Sequence, residues 1–477
     1  MIRGLGRRVI PLLLAAALVL ACTTEGGPGR QESPDSRPAV DLLILGGTVV
    51  TMDADRRVIP AGAVATIDGE IVAIGTAAEL STAYRAETVV TPGDHDIVIP
   101  GLVNGHNHAA MSLLRGVADD LALMEWLEGY IFPAEAALVD EGFVRTGTQL
   151  AALEMISSGT TTFADMYYFE DIVAEVVDGC GLRGVLGETI VDFPAPDNAT
   201  TDEAFRYTEA FLERWRDNPR VIAAVAPHAA FTVSPENLKR SAALAREYGA
   251  PLLIHVSETS DEVDQVRQQH GARPVEHLAS LGFLGPDVIA AHVIWVNDRE
   301  ISLLAEHSVG AVHNPESNMK LASGTMPLLA LREAGVAVGL GTDGPASNND
   351  LDLFAAMTIA TMLQKHANAD PTALPAVQTL ALATIEGARA LGLEDQIGSL
   401  EVGKRADLVV VSGEPASQVP RYDPYSHLVY VTRGAEVRLT VVDGRILYRD
   451  GDFLTLDPES VKAAARALAE RVREATS

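Results

Sequence analysis

Hydrophobic and polar positions divide the chain into three regimes. Between residues 41 and 98 the apolar runs are short: Leu42-Leu-Ile-Leu, Thr48-Val-Val-Thr, Val64-Ala-Thr-Ile and Ile71-Val-Ala-Ile. Asp68-Gly69 separates the last two, a strong hairpin cue. The same style returns near the end, in Ala406-Asp-Leu-Val-Val-Val, Leu428-Val-Tyr-Val, Arg438-Leu-Thr-Val-Val and, after Asp443-Gly444, Arg445-Ile-Leu-Tyr. Two β-rich ends around a different centre predict one small β-sandwich built from both, residues 41–98 and 396–455. Ala463 to Arg473 reads as a closing helix within 456–477.

The centre, residues 99–395, alternates. Apolar β-type runs fall at 98–104, 161–166, 184–191, 221–227, 251–256, 288–294, 309–313 and 336–341. Helical patterns such as Glu236 to Tyr248 and Pro327 to Glu333 lie between them. Eight strands separated by helices predict an α/β fold, a (β/α)8 TIM-type barrel. Such barrels carry their chemistry at the carboxyl ends of the strands. The residues there are His106 and His108, Asp165, Glu188, His228, His255 with Glu258, His292, His313 and Asp343. His95, His270, His277, His307, His366 and His427 fall in helical or loop stretches and receive no role.

In Val98-Ile-Pro-Gly-Leu-Val-Asn-Gly-His-Asn-His108 the two imidazoles are two residues apart, so an extended chain points both the same way. That is half of a metal site. His255 and Asp343 complete it: three neutral imidazoles and one carboxylate suit one divalent metal, zinc first, iron or another transition metal next. His255-Val-Ser-Glu258 brings an acid about one turn from a ligand. Strand four ends Val225-Ala-Pro-His228, and Lys is missing before Lys239, so a bridging modified Lys for a second metal is not available. Gly339-Leu-Gly-Thr-Asp-Gly344 matches a dinucleotide-binding pattern, but no acid or second βαβ half follows in the right place. Asp343 is the meaningful residue there.

Composition adds limits. Hydrophobic residues make up 47% and charged residues 21%, as in a globular protein, and the net charge of −29 disfavours nucleic acid or an anionic membrane surface. Residues 1–22 stand apart: Arg3, Arg7 and Arg8 precede the apolar run Val9 to Ala21, which ends Leu18-Val-Leu-Ala-Cys22. This resembles a bacterial lipobox, predicting export, lipidation of Cys22 and membrane attachment only through that anchor; a plain secretory signal stays open. Residues 23–40 read as a Gly/Pro/Ser-rich tether. With Cys22 lipidated, Cys180 has no disulfide partner.

The motifs together resemble the amidohydrolase superfamily, specifically its 5-methylthioadenosine/S-adenosylhomocysteine deaminase and chlorohydrolase group. They are Pro100-Gly-Leu-Val-Asn-Gly-His-Asn-His, Leu113-Leu-Arg-Gly-Val-Ala-Asp-Asp-Leu, Met124-Glu-Trp-Leu, Ala226-Pro-His, Ile254-His-Val-Ser-Glu-Thr, Ala291-His, His313-Asn-Pro-Glu-Ser-Asn, Leu340-Gly-Thr-Asp-Gly-Pro-Ala-Ser-Asn-Asn and Gly398-Ser-Leu-Glu-Val-Gly-Lys-Arg-Ala-Asp-Leu-Val-Val. The resemblance implies a hydrolase acting on carbon–nitrogen bonds of cyclic amidines, a hydrolytic deaminase of an adenosine-like nucleoside. It keeps the four ligands. His292 is expected to orient the attacking water and, with Asp343, take its proton; Glu258 to carry a proton to the ring nitrogen; His228 to contact the purine; Glu135 to bind the ribose hydroxyls. Ala110 departs from a common proline. Glu188 stands where an Arg often meets the substrate carboxylate, predicting a preference for neutral or small 5′ substituents. The alternatives are that Arg206 restores the positive charge, that Glu188 binds another part of the substrate, or that it faces away as a buried partner of Arg183. A chlorohydrolase acting on another aminated or halogenated heterocycle and a non-catalytic solute-binding lipoprotein are the competing readings. Oligomeric state, a homo-oligomer included, stays open.

Overall fold

The computed structural model describes residues 35–476. The expected export segment, Cys22 and most of the tether lie outside these residues. The strand Ala39–Leu45 takes in Ala39 and Val40, the last two residues expected to be tether.

Eight parallel strands occupy the centre: β1 Leu102–Asn107, β2 Thr160–Tyr167, β3 Arg183–Ile190, β4 Val221–Pro227, β5 Leu252–Val256, β6 Val288–His292, β7 Gly310–His313 and β8 Ala337–Leu340. They neighbour one another in chain order from β1 to β8, as a (β/α)8 barrel requires. Closure is direct. The Asp343 N–H donates to the His106 carbonyl at 3.0 Å, just past the end of β8. Alternate strand residues, among them Val103, Ala164, Met166, Val185, Ala226, Leu253, Ile289 and Val312, fill one buried cluster with Leu391 and Ile397. The intervening helices start on side-chain caps where the sequence offers them, for example Ser234 before Pro235–Tyr248 and Thr200 before Thr201–Trp215.

The run at 98–104 is two strands, not one. Ile97–Pro100 pairs with Leu408–Val411 in the accessory domain, and only Leu102 onward enters the barrel. Pro100 and Gly101 mark the switch. Proline removes a ladder donor, and a Cβ at Gly101 would lie 2.1 Å from Thr161 Oγ1. The accessory domain is formed from both ends of the described chain, as expected. A four-stranded sheet holds Ala39–Leu45, Gly62–Ile67, Glu70–Thr76 and Arg85–Val90, and a seven-stranded sheet joins N-terminal strands to Leu408–Val411, Val437–Val442 and Arg445–Arg449. Ile44, Val64, Val98, Leu408 and Val441 pack in the core between them.

One expected strand is a helix. Leu428-Val-Tyr-Val lies largely in Pro424–Tyr430, with Asp423 as N-cap accepting from the Tyr425 N–H. A four-residue apolar run does not by itself separate strand from buried helix; Asp423-Pro424 was the deciding signal. The closing helix, Pro458–Ala475, extends beyond its expected span because Asp457 caps it and Pro458 takes the first turn.

Candidate active site

The carboxyl end of the barrel opens into a cleft lined by His108, Trp126, Glu135, His228, His255 and Asp343. At its floor the strand-end side chains converge. Asp343 Oδ1 lies 3.4 Å from His106 Nε2 and 3.3 Å from His108 Nε2. His255 Nε2 is 3.4 Å from His108 Nε2. Two overlapping sets of donor atoms, His106/His255/His292 and His106/His108/Asp343, each fall within 4.8 Å of one another.

Local bonding aims these nitrogens inward. The Nδ1 of His108 bonds the Met166 carbonyl at 2.6 Å, and that of His255 bonds the His228 carbonyl at 2.8 Å. A carbonyl can only accept, so both rings carry a proton on Nδ1, which leaves Nε2 as the nitrogen turned toward a metal. His106 Nε2 is buried with no hydrogen-bond partner, an orphaned donor atom that an ion would satisfy. The donor chemistry therefore fits one divalent metal. Burial holds the His106 ring down to about 4 and His228 to about 3, so both are neutral. Burial pushes the Asp343 carboxyl up, but the His106 and His108 rings hold it well below the usual carboxylate range.

Around this centre stand two further groups. His292 Nε2 is 3.8 Å from Glu258 Oε2 and 3.9 Å from Asp343 Oδ2, and its Nδ1 bonds Asn318 Oδ1 at 2.8 Å. Glu258 is pushed up by burial and accepts from Ser323 Oγ at 3.2 Å. Glu135, pushed up to about 7 by burial despite its bond from Tyr167 OH at 2.8 Å, also lines the cleft, as does His228. The backbone carries strain here: Ser257, His292 and Asp343 have φ of 53°, 72° and 65°, values that non-glycine residues reach at a cost and that cluster at functional sites.

Three strand-end residues stay out of the cleft. Asp165 and Glu188 sit one position off the inward parity, which Ala164 and Met166 set in β2 and Val185 in β3, and neither lines the cleft. Asp165 accepts from the Ala109 N–H at 2.7 Å; Glu188 accepts from the Glu170 N–H and from Asn198. The expectation that Glu188 meets a substrate tail is therefore corrected. Glu188 faces away from the cleft, but not toward Arg183, which is buried on Asp407 and Asp443; Arg206 is exposed beside Glu203 and brings no charge to the cleft. His313 is fully buried below the cleft, with neither ring nitrogen bonded. The Gly-x-Gly-x-x-Gly match serves packing: a Cβ on Gly341 would come within 2.4 Å of Asn314 Oδ1 and 2.9 Å of the His106 nitrogen.

Sequence reasoning missed Ser317, Asn318 and Glu262. Ser317 Oγ donates to Asp343 Oδ2 at 2.7 Å, and Asn318 holds His292. Both stand in the His313-Asn-Pro-Glu-Ser-Asn motif, whose polar content was the available signal.

A parallel barrel with imidazoles and a carboxylate converging at its carboxyl end defines a metal-dependent hydrolase. The chain belongs to the amidohydrolase family, which it matches over residues 97–447. It is 48% identical over 433 residues to a 5-methylthioadenosine/S-adenosylhomocysteine deaminase of Syntrophobacter fumaroxidans, covering 91% of this chain and 98% of that one. It is 44% identical over 434 residues to a 5′-deoxyadenosine deaminase of Methanosarcina mazei, with 91% and 98% covered. A crystal structure of an adenosine deaminase from Xanthomonas campestris with bound zinc superposes with a TM-score of 0.90 at 40% identity, covering 92% of this chain and all of that one.

Proposed function

We propose that this chain is a metal-dependent aminohydrolase that removes the 6-amino group of adenosine-like nucleosides such as 5′-methylthioadenosine, adenosine or S-adenosylhomocysteine. The observation that carries it is the placement of Glu258 and His292 3.8 Å apart, beside the His106/His108/His255/Asp343 cluster. The relatives named as adenosine-type deaminases support the substrate class.

His106, His108, His255 and Asp343 hold the metal, zinc first. When bound, the ion polarises water and lowers the cost of deprotonating it. The chain does the rest. His292 Nε2 and Asp343 Oδ2 face the attacking water and accept its proton. Glu258, whose carboxyl burial pushes up, carries a proton to ring nitrogen N1 as the water oxygen bonds to C6. The resulting tetrahedral centre carries both the hydroxyl and the amine. The proton taken by His292 and Asp343 passes to the amine, the C6–N bond breaks and ammonia leaves, while the hydroxyl proton goes back to Glu258 to give the 6-oxo purine. His228 stands against the purine and Glu135 against the ribose hydroxyls. Ammonia release by zinc-loaded protein across nucleosides and halogenated heterocycles tests the reading; preferential dehalogenation would overturn it.

Residues 1–22 add location. The Arg-flanked apolar run and Leu18-Val-Leu-Ala-Cys22 support export, with Cys22 lipidated and the enzyme anchored outside the cytoplasm of a bacterium. Labelled fatty acid entering wild type and Cys22→Ser equally would end that proposal.

A further inference from the structure

Glu262 lies outside every motif role assigned so far, yet it is buried beside the chemistry. It sits in the first turn of the helix Ser260–His270, where Thr259 caps by accepting the Glu262 N–H at 3.1 Å. A Glu at this place ordinarily reaches back to the capping residue's own N–H. Here it reaches further. One carboxylate oxygen accepts the Ser257 N–H at 2.8 Å and the other accepts the Glu258 N–H at 2.6 Å. Two backbone N–H groups bonded to the two oxygens of one buried carboxyl group, which burial pushes up to about 7, tie both residues of the turn to the start of the helix.

The segment so held needs restraint. Ser257 is left-handed, with φ of 53°, which a serine adopts only when its surroundings impose it. From the opposite side the Ser257 carbonyl accepts from the Ile294 and Trp295 N–H groups at 3.1 and 2.9 Å. The turn is thus gripped between the carboxylate and the segment after β6, the strand that ends in His292. The left-handed residue sets the direction of the next side chain. That side chain is Glu258, with its carboxylate 3.8 Å from His292 Nε2.

We infer that Glu262 is the positioning residue of the proton shuttle, fixing Glu258 through the backbone of the Ser257–Glu258 turn. The inference rests on the reading of Glu258 given above. Glu262→Gln keeps one strong acceptor of the two, and Glu262→Ala keeps none. The zinc-loaded full chain is assayed with 5′-methylthioadenosine as wild type, Glu262→Gln, Glu262→Ala, Glu258→Gln and the double variant Glu258→Gln/Glu262→Ala, each checked for fold by circular dichroism and for zinc content. The expected result is a kcat lowered roughly tenfold in Glu262→Gln and further in Glu262→Ala, with KM and zinc little changed. The double variant should be no slower than Glu258→Gln, because a group that acts only through another adds nothing once that one is gone. A double variant whose loss is the product of the two single losses, or a Glu262→Ala enzyme at wild-type kcat, overturns the inference.

A crystal structure of Glu262→Ala separates this claim from the shuttle reading. Ser257 leaving its left-handed conformation, with Glu258 turned away from His292, supports the clamp even where Glu258→Gln proves active and the shuttle reading falls. An unchanged turn overturns it whatever the kinetics.

Discussion

Asn104 in β1 and Thr342 just after β8 exchange two hydrogen bonds across the seam of the barrel. The Asn104 amide donates to Thr342 Oγ1 at 2.7 Å, and its oxygen accepts the Thr342 N–H at 3.0 Å. Both residues are fully buried, and each stands next to the metal centre in sequence, Thr342 directly before Asp343 and Asn104 two before His106. Asn104→Ala leaves the Thr342 N–H buried without its partner, a loss of about 1–3 kcal/mol. Denaturant unfolding should show that loss, with zinc given up to chelator more readily than in wild type. A variant with unchanged stability and chelator resistance would show that the seam is held by backbone alone.

The two donor sets share His106 but differ in His255, His292, His108 and Asp343, so metal analysis can tell ligand from base. His255→Ala should lose metal and turnover together, because one of four ligands is gone. His292→Asn should keep about one equivalent of metal and lose turnover by roughly a hundredfold or more, the scale of general acid–base catalysis. Metal loss in His292→Asn would make it a ligand, and two equivalents in wild type would break the mononuclear reading.

The barrel and its metal cluster were legible because both depend on short-range periodicity. His106 and His108 stand two apart at the end of one strand, and His255, His292 and Asp343 each close an apolar run or follow it. The same rule explains the failures. Asp165 and Glu188 follow runs too, but one position off, and a one-residue change of parity turns a side chain to the other face. Sequence marks a strand end within a residue or two, not the parity. Glu262, Ser317 and Asn318 were hidden for another reason. Their partners lie across a turn or on another strand, so no spacing within their own element announces them.

Glu170 and Glu188 make the stability of this protein depend on pH. Both are fully buried; burial first, then the neighbouring Asp165 for one and Asp197 for the other, raises their carboxyls well above the ordinary value. The folded chain keeps protons that the unfolded chain releases near pH 4.3. Their contribution is therefore complete below about pH 4.3 and is lost as pH rises toward the raised folded values. Each proton kept makes stability fall by about 1.4 kcal/mol per pH unit across that window. Glu170→Gln and Glu188→Gln should flatten the decline seen by denaturant unfolding at pH 6, 7 and 8. Parallel curves for wild type and both variants would sink this account.

Substrate preference follows from the wall of the cleft. Glu135, proposed to bind the ribose, lines the cleft with Trp126, Leu127 and, one helical turn before it, Ile131 and Phe132. With the ribose at Glu135, a substituent on its 5′ carbon is predicted to lie against this apolar face. Among the described residues that line the cleft there is no Lys or Arg. Arg115 is held by Glu154 and Asn349, and Lys320 by Asp119. The homocysteine tail of S-adenosylhomocysteine carries a carboxylate and an ammonium, and stripping water from either without a partner costs several kcal/mol. A methylthio group gains instead, at about 25 cal/mol for each Å2 of apolar surface buried. With Glu188 corrected, the predicted 5′ preference rests on an apolar wall and not on a repelling charge. The kcat/KM for 5′-methylthioadenosine should exceed that for S-adenosylhomocysteine by roughly tenfold or more, since each 1.4 kcal/mol is a factor of ten. Ile131→Arg should narrow the gap by giving the tail a fork to bind, while Glu188→Gln should leave it unchanged. If S-adenosylhomocysteine is the better substrate of the unmodified enzyme, the tail reaches a cation beyond this wall and the argument fails.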